Sequence, residues 1–308
     1  MRYLVTGAAG FIGSTLADTL EAAGHELLAV DAFTDYYDPA LKRENATGRL
    51  VVEADLAETE IEPLLEGTDG VYHLAGQPGV RASFGPEFEL YVRRNILATA
   101  RLFEVAAAAG VRVVYASSSS VYGEAEAYPT REDATPRPIS PYGVTKLACE
   151  HLAHALARTE GLDAVGLRYF TVYGPRQRPD MAFTRLLEAL RSGAAFPLYG
   201  DGSASRSFTY VADAVAATIA AMERGRTGEI YNVGGGEEAT MAEAIALAER
   251  VAERTLELER RESAMGDVRR TKADGTKSER DLGWRPTTPL AEGMRAQWEW
   301  VAGRVAAG

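Results

Sequence analysis

The sequence predicts an α/β fold: a doubly wound parallel sheet followed by a smaller C-terminal α/β lobe. Three observations carry that expectation. Strand-like and helix-like segments alternate through the first 175 residues of the 308. A Gly7-Ala-Ala-Gly10-Phe11-Ile12-Gly13 turn separates the first strand from the first helix. Asp31 closes the second strand.

The elements follow in order. Runs rich in β-branched and aromatic residues mark strands near 2–6, 26–30, 50–53, 70–74, 111–116 and 163–169. Helical periodicity fills the gaps at about 11–23, 57–66, 87–109 and 141–160. Strands joined through helices must run parallel, with helices on both faces, which is a Rossmann-like arrangement. Beyond residue 175 the rhythm loosens. Helical patterns fall near 181–192, 211–224, 240–254 and 289–303, short strands at 196–199, 207–210 and 229–233, and Gly200, Gly202, Gly234, Gly235 and Gly236 interrupt them. Residues 1–175 are therefore assigned to a dinucleotide-binding domain. Residues 176–308 are assigned mainly to a ligand-binding lobe, with some elements returning to the first domain.

Composition narrows the class. Hydrophobic residues make up 46% and charged residues 25%, as in ordinary globular proteins. The formal net charge of −11 disfavours nucleic acid and anionic membranes as partners. An anionic ligand must then be held by a few local cations. The one cysteine, Cys149, allows no intrachain disulfide and suggests no metal cluster; a small buried filler is its expected role. No leader precedes the strand that begins at residue 2, and no apolar run has the length of a membrane span, so a cytoplasmic location is expected.

The glycine turn is where a dinucleotide is expected. Its glycines allow a tight turn and close backbone approach, and the following helix N-terminus offers free N–H groups to a pyrophosphate. The carboxylate of Asp31 would accept from the adenosine ribose hydroxyls and repel a 2′-phosphate, which favours NAD over NADP. Asp55 and Leu56, after the third strand, are placed at the adenine, and Leu74 and Ala75, after the fourth, under the dinucleotide. His73 ends an apolar strand and reads as packed rather than catalytic.

Tyr142 and Lys146 stand four apart, on one face of a helix. A free phenol titrates near pH 10, too high for a good base at neutral pH, and a neighbouring ammonium favours the phenolate. Such a pair can take a proton from a carbinol while a hydride leaves the same carbon.

Taken together, Gly7–Gly13, Asp31, Asp55, Ser117–Gly123, Tyr142–Lys146, Arg168–Arg178, Gly200–Asp213, Tyr231–Gly235 and Gly266–Trp284 resemble the extended short-chain dehydrogenase/reductase family of NAD-dependent sugar-nucleotide epimerases and dehydratases. The resemblance implies tightly held NAD, a nucleotide-sugar substrate, and a homodimer formed through helices near 90–109 and 141–160. It places the catalytic hydroxyl on Ser118, relaying the sugar O4 proton to Tyr142. Ser119 and Ser120 follow where 4,6-dehydratases carry Asp and Glu, so dehydration would lack its acid and base. Asp35-Tyr36-Tyr37-Asp38, Leu41-Lys42-Arg43 and the run from Arg168 to Ala182 are similar to the UDP-glucuronate 4-epimerases.

That resemblance implies interconversion of UDP-glucuronate and UDP-galacturonate through a 4-keto sugar. Thr171 and Arg178 would hold the C6 carboxylate away from the alignment in which a β-keto acid loses CO₂. Arg206, and with lower weight Arg185, would meet the diphosphate, and Asp267 the ribose. Arg81 and Ser83 would face the sugar. Ala264 and the Arg269-Arg270 pair depart from the family pattern, which leaves the phosphate contacts there open. Also open are a UDP-glucose or dTDP-sugar 4-epimerase, a UDP-glucuronate decarboxylase, and a non-catalytic NAD-sensing protein.

Overall fold

A computed structural model describes residues 1–262 and 268–304. The chain alternates as the periodicity predicts: β1 (Arg2–Thr6), α1 (Phe11–Ala22), β2 (Glu26–Asp31), α2 (Pro39–Asn45), β3 (Val51–Glu53), α3 (Glu62–Leu65) and β4 (Gly70–His73). A helical stretch follows as α4 (Phe88–Tyr91), a π-helical turn over Val92–Leu97, and α5 (Ala98–Ala109). Then come β5 (Arg112–Ser118), α6 (Pro141–Thr159), β6 (Ala164–Tyr169), β7 (Thr171–Tyr173), α7 (Ala182–Ser192), β8 (Phe196–Tyr199) and β9 (Ser205–Tyr210). The rest is α8 (Val211–Arg224), β10 (Ile230–Val233), β11 (Glu238–Thr240), α9 (Met241–Ala252), β12 (Leu258–Arg261), β13 (Arg270–Thr271), α10 (Thr276–Leu282) and α11 (Leu290–Gly303).

The main sheet has seven strands in the order β10-β6-β5-β4-β1-β2-β3, all paired in parallel. Chain order reverses between β1 and β4, and the crevice beyond the carboxyl ends of such a pair is where open α/β sheets bind ligands. Buried Leu16, Leu20, Val215 and Ala221 from α1 and α8 cover one face of the sheet. Leu102, Phe103, Ala106 and Ala153 from α5 and α6 cover the other. A smaller sheet, β11-β9-β13 with β7 on β9, and the pair β12-β8 lie in the C-terminal part. There Phe183, Leu186, Phe208, Ile245 and Met294 form a separate core under α7, α9 and α11. The chain passes between these layers more than once: β10 returns to the large sheet after β7 has already joined the small one.

One expected helix is shorter than its periodicity suggested. Between residues 57 and 66 only Glu62–Leu65 is helical. Asp55 competes for the backbone first: its Oδ1 accepts from Ala57 N at 2.9 Å and its carbonyl from Glu58 N and Thr59 N. Among the described residues no helix is long and apolar enough to cross a membrane.

Candidate active site

One cleft of about 990 Å³ opens at the switch point. Its lining includes Gly7, Gly10, Phe11, Ile12, Gly13, Asp31, Asp55, Leu56, Leu74 and Ala75, and also Arg81, Ser118, Ser119, Ser120, Tyr142, Lys146, Thr171, Arg178, Arg185 and Arg206. Both predicted groups therefore share a single cavity, at the top of the size range for one ligand and ample for two joined end to end.

The turn after β1 fits a dinucleotide on its own geometry. Gly7 has φ +69, and a Cβ there would lie 2.8 Å from Ala75 N; a Cβ on Gly13 would lie 2.0 Å from Gly7 O. Only glycine lets α1 start this close to β1 and β4. Gly10 caps α1 with no side-chain hydrogen bond, and the first turn carries no acidic residue. Its leading N–H groups thus stay available to an anion. Asp31 is buried, and its oxygens accept from Ala9 N at 3.1 Å and Phe33 N at 2.8 Å. Those bonds fix the carboxylate while leaving lone pairs for ribose hydroxyls.

Tyr142 reaches the cleft because α6 begins tightly against the end of β5. Ser140 caps the helix, its Oγ accepting from Gly143 N at 3.1 Å, with Pro141 in the first turn. A Cβ on Gly143 would stand 2.6 Å from Ser120 O, so glycine at this position lets the helix seat on the turn after Ser118. Ser118 Oγ accepts from Ser120 N at 3.1 Å. Lys146 is buried, and its Nζ donates to Ala116 O at 2.9 Å, two residues before Ser118.

Ser83 departs from expectation. It is fully buried and absent from the cleft lining. Its hydroxyl donates to Val80 O at 2.6 Å and accepts the backbone N–H of Tyr142 at 3.1 Å. It braces the helix start instead of facing a sugar. Asp267 lies outside the described residues. Arg206 donates to the carbonyls of Ser205, Val268 and Arg269, which draws the 268–269 segment onto β9. Arg81 stacks its guanidinium 4.4 Å above the Tyr199 ring. Arg270 is claimed by Glu238 through two bonds of 2.6 and 2.9 Å.

Sequence reading missed Asn95. It sits in the π-helical turn, fully buried, with Oδ1 accepting from Gln77 N at 2.7 Å and Nδ2 donating to Gln77 O and Thr145 Oγ1. It ties the segment after β4 to α6 between Tyr142 and Lys146. An Asn directly after Arg93 and Arg94 in a helical pattern gives no signal of burial; π-turns often mark functional positions. His73 is packed, as expected. Its ring bonds Thr6 Oγ1 at 2.8 Å and Thr99 Oγ1 at 2.9 Å. Burial, helped by the nearby Lys146 charge, lowers its pKa to about 3, so the ring is neutral near pH 7. Cys149 is likewise buried, and burial pushes its thiol up.

Comparison with known proteins agrees with this geometry. The sequence model of the NAD dependent epimerase/dehydratase family matches residues 3–234. A UDP-glucose epimerase of Bacillus subtilis, YtcB, itself uncharacterized, is 39% identical over 303 residues, 96% of each chain. UDP-glucuronate 4-epimerase 3 of Arabidopsis thaliana is 34% identical over 97% of this chain and 76% of its own. The crystal structure of UDP-glucuronic acid 4-epimerase from Bacillus cereus, in complex with UDP-glucuronic acid and NAD, superposes with a TM-score of 0.94 at 38% identity, covering 98% of this chain and 99% of that one. The chain belongs to the NAD dependent epimerase/dehydratase family.

Proposed function

We propose that the protein inverts C4 of a UDP-sugar, interconverting UDP-glucuronate and UDP-galacturonate. One observation supports the choice of a uronic acid: a guanidinium, Arg178, lines the same cleft as Tyr142. A carboxylated hexose held at Tyr142 would find its counter-charge there.

Bound NAD supplies a hydride acceptor and, once the 4-keto sugar has turned over, the donor to its other face. The protein's own residues do the rest. The Tyr142 phenolate takes the O4 proton, becoming the phenol, and the phenol returns it when the hydride comes back, with Ser118 Oγ as relay. Lys146 contributes positive charge where the phenolate forms. Asp31, Asp55 and the α1 N-terminus hold the dinucleotide, with Leu56, Leu74 and Ala75 as apolar walls. Arg185 and Arg206 oppose the diphosphate, and Asp267 is assigned to the nucleoside ribose. Thr171 and Arg178 hold the carboxylate, and Ser119 and Ser120 offer hydroxyls to the sugar in place of a dehydratase's acid and base.

The direct test is incubation of the purified protein with UDP-glucuronate, without added NAD, and separation of the products. UDP-galacturonate is expected. No turnover of UDP-glucuronate, with epimerisation of UDP-glucose instead, would replace this substrate.

We also propose a homodimer. Phe88, Val92, Leu97 and Val144 are large apolar side chains left exposed on the α4–α5 stretch and α6. Such a surface is best explained by a second copy covering it. Sedimentation equilibrium is expected to give twice the chain mass, and a monomer at micromolar concentration would rule the dimer out.

A further inference from the structure

Three loops meet over the cleft at Arg178. The guanidinium makes a two-point pair with Asp180, Nε donating to Oδ1 at 2.9 Å and Nη2 to Oδ2 at 3.0 Å. Tyr36, from the loop after β2, donates its hydroxyl to the same Oδ2 at 3.2 Å. The third loop makes room for that reach. Gly79 has φ +100, and a Cβ on it would lie 2.2 Å from the Tyr36 hydroxyl. Tyr91 fastens this loop from below, donating to Pro78 O at 2.7 Å and Gly79 O at 2.8 Å.

This arrangement spends one edge of the guanidinium and leaves another. Arginine offers five N–H donors in a rigid plane. Asp180 occupies the Nε–Nη2 edge, so the Nη1 side remains for a second carboxylate. Asp180 is itself held by Tyr36, so the pair restrains rotation of the fork about the side-chain torsions. We infer that Asp180 is a positioning residue: with Tyr36 it locks Arg178 so that the C6 carboxylate is held where the 4-keto sugar does not lose CO₂. This rests on the uronic-acid reading above.

The chemistry explains why orientation matters. In the 4-keto sugar, C6 is attached to C5, beside the C4 carbonyl. If the C5–C6 bond stands parallel to the carbonyl π orbitals, it breaks. Its electron pair passes into the C4 ketone as an enolate, CO₂ leaves, and C5 then takes a proton. The result is a 4-keto pentose in place of the epimeric acid. If C6 is kept near the carbonyl plane, that overlap is lost and the bond survives. A guanidinium that drifts lets C6 drift with it.

The test is a product ratio, CO₂ released per epimerised uronate, measured for the parent protein, D180N and Y36F with UDP-glucuronate. D180N keeps the side-chain shape but gives up one acceptor and the charge. The ratio is expected to rise by about tenfold in D180N, the equivalent of one charge-assisted hydrogen bond, and by less, in the same direction, in Y36F. A residue that merely supports the fold would lower both fluxes together and leave the ratio alone. An unchanged ratio in both variants overturns the role of Asp180. If D180N does not fold, Y36F decides by itself on the same criterion. A parent protein that does not epimerise UDP-glucuronate defeats the functional reading and this inference with it; a parent that does, with unmoved variants, defeats only the inference.

Discussion

Tyr142→Phe is expected to slow C4 epimerisation by roughly three orders of magnitude, the usual scale for losing a positioned acid–base group, while NAD and UDP binding persist. The substitution removes one oxygen and little else. The phenyl ring keeps its edge-on contact with Tyr91, at 6.3 Å between centroids and 78°. The backbone N–H of residue 142 keeps Ser83, and the Ser140 cap is untouched. Neither bond uses the phenol. Retained cofactor can be read from the absorbance of the denatured protein, and UDP affinity by calorimetry, so a loss of turnover can be separated from a loss of binding. A Phe variant as fast as the parent would remove Tyr142 from the chemistry. A variant that has lost its NAD would show a structural role instead.

Much of the part of this cleft proposed to hold NAD was legible because the chain writes it at strand ends. In a parallel sheet the residues after each strand emerge on one edge, so Gly7, Asp31, Asp55 and Leu74 come together by topology alone. The substrate half is a different problem. Tyr36 and Asp180 meet across 144 residues, and no spacing in the sequence announces it. Asn95 faces inward because of a π-turn, which a 3.6-residue count passes over. The family resemblance after Gly79-Val80 implies that Ser83 faces the sugar, yet a short 3₁₀ turn over Arg81–Ser83 puts its hydroxyl under α6. Of the small strands, β8 and β9 were legible, but β11, β12 and β13 were hidden. Every residue of β12 is exposed, so there was no alternation to read. Pairing of β12 with β8, and of β11 and β13 with β9, comes from tertiary packing.

The largest loss of stability is expected from Glu150→Ala, one turn beyond Lys146 in α6. Glu150 and Arg168 are each 4% exposed and bond twice, Nε to Oε1 at 2.8 Å and Nη2 to Oε2 at 2.7 Å. Ser117, beside Ser118 on β5, donates to Glu150 Oε1 at 2.5 Å. Arg168 reaches Glu132 O at 3.1 Å and lies 4.6 Å over the ring of Tyr122, whose hydroxyl donates to Asn232 on β10 at 2.7 Å. Burial pushes that phenol up to about 12, so it remains a donor across the neutral range. Removing the carboxylate strands a guanidinium in the core, and breaking such a pair costs about 3–5 kcal/mol. Urea unfolding midpoints measure it. The exposed pair Arg131–Asp133 serves as a control expected to change little. The double variant Glu150→Leu with Arg168→Met is expected to recover most of the stability, since no charge is then left buried. Recovered stability need not restore turnover. Ser117 pairs in register with Arg168, and Ser118 follows it directly. Without Glu150 the strand end that carries Ser118 into the cleft loses its anchor. A double variant that is both stable and fully active would show that the pair serves the fold alone.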